Sequence, residues 1–169
     1  MAAPLFICWN GLSNALTGTT ILTAVASAAT VTPKTMLQVK TGAGKIRIVE
    51  WGYIFVATPT APVTMELIET AAIAATVTTG NVLNYNDVTG IASQTAAPGV
   101  ASTGFTATAE GTVVATRLLA ETYDTATYFK QQFPLGREPE VNGASILRIR
   151  ATPSTAAAVT LVCYVIWEE

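Results

Sequence analysis

An all-β fold, an antiparallel β-sandwich of jelly-roll type with an extended N-terminal arm, is predicted by three observations. From Lys34 onward, β-branched and aromatic residues recur with a period of two. Gly, Pro and Asn punctuate these runs at short intervals, with little convincing helix between them. Alanine and threonine make up about a third of the 169 residues, and threonine suits a strand while keeping its exposed face polar.

Residues 1–31 read differently from the rest, because they hold no charged residue. Met1 to Asn10 is apolar with Pro4 and Trp9 in it, Gly11 and Gly18 break up the next stretch, and Ala24 to Thr30 is small and featureless. Such a segment cannot form a core alone. It reads as an extended arm on this subunit or a neighbour, or as an edge strand of the same domain. Residues 32–169 form a single domain of ordinary size.

Met36 to Lys40 is the first strand of that domain, and Lys45 to Val56 (KIRIVEWGYIFV) is the strongest. Strict alternation puts Lys45, Arg47, Val49, Trp51, Tyr53 and Phe55 on one face and Ile46, Ile48, Glu50, Gly52, Ile54 and Val56 on the other. Both faces turn apolar after Val49, which predicts burial on both sides. Thr58 to Pro62 is a turn, since proline does not sit inside a central strand. Val63 to Ile68 returns, and Ala71 to Thr79 is ambiguous between helical turn and strand. Gly80 to Gly99 reads as a long loop. Strands resume at Gly104 to Ala109 and Thr112 to Leu119, with Glu121 to Thr127 as a connection. Tyr128 to Phe133 is ended by the turn Pro134-Leu135-Gly136. Ile146 to Ala151 sets Ile146, Arg148 and Arg150 against Leu147 and Ile149. Val159 to Trp167 is apolar on both faces and reads as central. The sum is about eight or nine strands with short turns, as in a sandwich or barrel.

Apolar residues are 50% of the chain and charged residues 12%, about half the usual quarter. Mean hydropathy is +0.44. A monomer normally carries a charged coat for solubility, so this surface is expected to be neutral or covered by partners, and a homo-oligomer is the expectation. Net charge is −2 and no basic run exists, which argues against nucleic acid as a partner. No apolar run approaches a membrane span, and no Lys or Arg precedes the first apolar stretch as a signal peptide requires. Cys8 and Cys163 read as two buried thiols acting as small apolar side chains.

Equipment for catalysis is scarce. With no histidine, Ser-His-Asp and Cys-His systems are excluded, and zinc has no ligand cluster. KTGAGK at Lys40 to Lys45 fails as a phosphate loop: Val39 stands where the upstream glycine belongs and Ile46 where Ser or Thr belongs. It reads as a hairpin turn. Glu66 and Glu69 fall on opposite faces of a strand, and Glu138 and Glu140 flank Pro139 in a solvated loop, so neither makes a glycosidase pair. Asp87 with Asn84 and Asn86 is weak bait for calcium. The expectation is a non-enzymatic protein with no catalytic, metal or cofactor site. Arg47, Glu50, Arg148, Arg150, Arg137, Glu138 and Glu140 stand out in so charge-poor a chain, as candidates to set register between subunits.

TTILTAVASAATVTPKTMLQ (Thr19 to Gln38), IRIVEWG (Ile46 to Gly52), VTMELIET (Val63 to Thr70), FTATAEGT (Phe105 to Thr112), FPLGREPEV (Phe133 to Val141), LRIRAT (Leu147 to Thr152) and CYVIWEE (Cys163 to Glu169) resemble head decoration, or cement, proteins of tailed bacteriophages. The likeness covers most of the chain from Thr19 but not Met1 to Asn10. It implies a β-sandwich subunit that assembles, often as a trimer, on the outside of a capsid, with the major capsid protein as partner and no catalytic residue to carry over. The expected place is the virion surface, and the expected function is stapling of neighbouring capsomers through buried apolar area multiplied over a shell. Leu5, Phe6 and Trp9, with Arg47, Arg137, Glu138, Glu140, Arg148 and Arg150, are the expected interface residues. Two alternatives stand beside this. One is a tail, neck or head-spike subunit. The other is a carbohydrate-binding sandwich using Trp51, Tyr53, Tyr85 and Tyr128.

Overall fold

The computed structural model describes residues 3–11, 25–27, 31–72, 74–86, 92–95, 99–113 and 116–169. Among them there is no helix. Thirteen strands run in chain order: β1 Leu5–Trp9, β2 Val25–Ala26, β3 Lys34–Lys40, β4 Ile46–Phe55, β5 Val63–Thr70, β6 Thr76–Thr79, β7 Val82–Asn84, β8 Gly104–Ala109, β9 Thr116–Asp124, β10 Tyr128–Gln132, β11 Glu140–Val141, β12 Ile146–Pro153 and β13 Thr160–Glu168. They form two antiparallel sheets. The first has the order β10-β4-β13-β1-β7, with β11 on β4 and β2 on β13; the second is β6-β8-β3-β12-β5-β9. The sheets pack face to face as a β-sandwich, and one apolar core lies between them.

The core follows from alternation, with one correction. Ile46 and Ile48 point inward, but so do Trp51, Tyr53 and Phe55, which strict alternation placed on the other face. Opposite them, Ile166 and Trp167 of β13 pair with Glu50 and Ile48, so Val49 is an extra residue in β4. This bulge switches the phase of the strand in mid-course. It explains why both faces of the sequence turn apolar after Val49, and it sends Glu50, Gly52 and Ile54 to the outside. Strand β13 keeps a single phase, with Leu161, Cys163, Val165 and Trp167 all in the core.

Leu5–Trp9 is a paired interior strand, with β13 on one side and β7 on the other. Phe6 and Cys8 enter the core. Asn10, fully buried, fixes the end of β1: its side chain donates to the Leu161 carbonyl at 3.1 Å and accepts the Cys163 N–H at 2.7 Å. Residues 1–2, 12–24 and 28–30 of the expected N-terminal arm lie outside the described residues. Two further sequence expectations change. Glu121 to Thr127 is not all connection, since β9 runs on to Asp124, and the expected loop from Gly80 holds β7. The ambiguous stretch before Gly80 contains strand β6.

Candidate functional site

Most of the charged residues singled out in the sequence turn out to pair within the chain. Arg47 on β4 lies 3.6 Å from Glu168, its cross-strand partner on β13. Arg150 on β12 lies 2.9 Å from Glu66, its cross-strand partner on β5. Lys45 holds Glu140 at 3.0 Å, which keeps the Glu140 carboxyl below its ordinary range. Arg117 of β9, which carries no local signal in the sequence, sits 2.6 Å from Glu69 directly opposite on β5 and also donates to the Glu140 carbonyl. These pairs fix register between strands, where the sequence suggested register between subunits.

Arg148 departs furthest from expectation. It faces away from the core, as the alternation of β12 requires, yet it is fully buried. The segment after β8 covers it. Glu110 supplies a carboxylate oxygen 3.4 Å from Nη1 and a backbone carbonyl that accepts from the same nitrogen at 3.0 Å. Burial pulls the guanidinium below its ordinary pKa, and Glu110 works against that fall. A residue so enclosed presents nothing to a partner, and Phe6, 1% exposed and stacked on Trp167, is equally withdrawn. Leu5 and Trp9 are half-buried on the outer side of β1.

The Arg137 region differs. Pro134 to Arg137 is a tight turn in which the Arg137 N–H donates to the Pro134 carbonyl at 2.9 Å. Gly136 takes a left-handed φ of 78°, which a side chain resists. The turn holds Leu135 out at 97% exposure. Neither Arg137 nor Glu138 has an ion pair among the described residues.

A second feature lies on the outer face of the first sheet. A groove of about 320 Å³ is formed by Ile7 and Trp9 of β1, Val162, Tyr164 and Ile166 of β13, Glu50 and Ile54 of β4, and Tyr128 and Lys130 of β10, with Tyr85 after β7. Trp9 and Tyr164 lie with ring centroids 4.9 Å apart. The Tyr164 hydroxyl donates to Glu50 Oε1 at 2.6 Å, and Lys130 Nζ sits 2.9 Å from Glu50 Oε2. Burial first, then the bond to Glu50, pushes the Tyr164 phenol above its ordinary pKa, and the Glu50 carboxylate raises Lys130. Gly52 lies between Lys130 and Tyr164 in register. A Cβ there would meet the Phe129 carbonyl oxygen at 2.8 Å and the Tyr164 ring at 2.9 Å, so glycine gives that ring its place on the sheet.

No family model, curated protein or solved structure matches this chain.

Of the aromatics considered for sugar stacking, Tyr85 and Tyr128 are each 57% exposed at the groove, while Trp51 and Tyr53 are core residues, of which Tyr53 also lines the groove. Trp9 and Tyr164 take their places. The bulge at Val49 turns Trp51 and Tyr53 into the core, and only a cross-strand mismatch reveals it, whereas Trp9 and Tyr164 face outward by plain alternation. Asp87 of the considered calcium set lies outside the described residues, and the Asn84 side chain accepts the Asn86 N–H at 3.0 Å. No group of three potential metal-ligating side chains occurs among the described residues.

Proposed function

We propose that the chain is a structural virion subunit, a head decoration protein of the tailed-phage kind that assembles with copies of itself, as a trimer, on a lattice of major capsid protein. One observation carries this reading: a tight turn offers Leu135 at 97% exposure beside an Arg137 with no ion pair among the described residues. A leucine so exposed at the tip of a turn packs against nothing among the described residues of its own chain, whereas a socket on a partner would bury it and gain about 2 kcal/mol per copy. Repetition over a closed shell turns such modest contacts into firm attachment. The scarcity of charge supports the same reading, as does the sandwich itself, which has no need of a metal or disulfide at this size. The reading keeps a jelly-roll-like winding, in which the chain passes between sheets from β2 to β3, β3 to β4, β4 to β5, β6 to β7, β7 to β8, β9 to β10, β11 to β12 and β12 to β13. A contact arm within residues 1–31 would have to exclude Leu5–Trp9, which the first sheet already uses.

The test is native mass followed by sedimentation with phage heads stripped of decoration. Three 17.6 kDa chains per particle and saturable attachment to heads are expected, with Leu135→Asp folding normally and failing to attach. A protein that stays monomeric and ignores heads would refute the proposal. Density at the neck or tail in micrographs would move the subunit there, to the alternative structural reading.

A further inference from the structure

We infer that the groove on the outer face of the first sheet is a binding site for a neutral saccharide. The inference rests on the groove's own chemistry and is independent of the assembly proposed above.

Tyr85 and Tyr128 stand more than half exposed at the groove, and Trp9 lies against Tyr164 on its floor. A subunit gains nothing by holding large rings in water. Such rings suit the apolar C–H faces of a sugar, as aromatic faces suit other flat partners. Between them lies Glu50, its side chain only 10% exposed. Each of its oxygens accepts one hydrogen bond, from Tyr164 and from Lys130, and keeps a lone pair; Lys130 keeps two N–H donors. The floor therefore offers acceptors and donors side by side, as the hydroxyls of a sugar edge require.

Charge decides among ligands. Aromatic cages also take quaternary ammonium ions, but such cages need an unmatched negative field. Here Lys130 matches Glu50 at 2.9 Å, so the groove calls for neither a cation nor an anion. An apolar peptide would cover the Glu50–Lys130 pair and leave its remaining donors and acceptors unpaired, which costs more than the rings return. A neutral molecule with apolar faces and hydroxylated edges meets both demands. The 320 Å³ of the groove sits at the lower end of small-molecule clefts, about 300 to 1,000 Å³, which suits a short oligosaccharide segment.

The chain supplies its own reporter. Trp51 and Trp167 are fully buried, so Trp9 is the tryptophan within reach of a ligand. Hexamers of β-1,4-glucose, α-1,4-glucose and β-1,4-N-acetylglucosamine are titrated to about 10 mM, which covers the weak range normal for single sites. Tryptophan emission and saturation-transfer NMR are read together. At least one hexamer should give a saturable response by both methods. Tyr128→Ala and Tyr85→Ala, both exposed and safe for folding, should each weaken it about tenfold. Leu135→Asp should leave it unchanged, which separates this site from attachment to heads. No response to any of the three hexamers would overturn the inference. So would a response untouched in the Tyr85→Ala/Tyr128→Ala double variant, or tighter binding of tetramethylammonium than of any sugar.

Discussion

Replacing Glu110 by alanine removes the acid that neutralises a fully buried guanidinium. The Glu110 carboxylate lies 3.4 Å from Arg148 Nη1 and accepts two bonds from Thr35, the N–H and the hydroxyl, each at 2.6 Å. Alanine keeps the backbone carbonyl that accepts from Arg148 at 3.0 Å and loses the rest. Bonds to a charged acceptor contribute about 1.5 kcal/mol each at the low end, which is the right end for an acid whose side chain is 31% exposed. Adding the lost attraction between the Glu110 carboxylate and the buried Arg148 brings the loss to about 4 kcal/mol, within the range for breaking a buried pair from one side. For a chain of this length that lowers the melting temperature by about 8 to 16 °C. Removing the cation as well should recover part of the loss. In an Arg148→Met background, Glu110→Ala should cost only about 3 kcal/mol, for the two Thr35 bonds that remain to be lost. Urea midpoints for the four proteins measure the cycle. Additivity of the two single changes within about 0.5 kcal/mol would refute the claim that these side chains act as a pair.

Two further expectations concern titration. Burial alone would raise the Glu69 carboxyl, but the Asn142 N–H, the Ser145 hydroxyl and Arg117 together hold it below its ordinary 4.5. Its folded pKa is therefore the lower one, so its contribution is complete above pH 4.5 and disappears as pH falls through the folded value. Glu69→Gln should cost about 2 kcal/mol at pH 7 and flatten the decline in stability below pH 4.5, and an unchanged acid limb would count against the assignment. Cys8 and Cys163 are free and fully buried, and burial pushes the Cys8 thiol up to about 12 and raises Cys163 as well. A thiol reagent at pH 8 should label neither in the native protein and both in denaturant, whereas prompt native labelling would show that the first sheet opens readily.

The strands carried by dense β-branched and aromatic runs were legible to within a few residues. Gly104 to Ala109 matches β8, and Val159 to Trp167 differs from β13 by one residue at each end. What escaped was whatever depends on a neighbour. Val49 as an extra residue is invisible until Ile48 and Glu50 are set against Trp167 and Ile166. β7 is three residues long and is a strand because β1 pairs with it. The alternation of β12 separates Arg148 from Leu147 and Ile149, but nothing local announces that Glu110, thirty-eight positions away, roofs it. The groove was half legible for the same reason: Tyr85 and Tyr128 were named, while Trp9 and Tyr164 meet only through the pairing of β1 with β13.

Most of this chain's positive charge is matched within the chain itself. Six of its nine cations take part in internal ion pairs, and Lys34, Lys40 and Arg137 do not among the described residues. Three of these pairs, Arg47–Glu168, Arg117–Glu69 and Arg150–Glu66, join residues directly opposite each other on neighbouring strands. A one-residue slip would turn each partner to the other face of its sheet, so these charges make wrong registers costly in strands otherwise rich in interchangeable Val, Ile and Thr. Charge spent on register is not available for steering a partner from a distance. In the two proposals made above, recognition falls to short-range groups: the apolar tip at Leu135 and the rings with matched charge around Glu50. Both act by shape and desolvation, and both are screened little by salt.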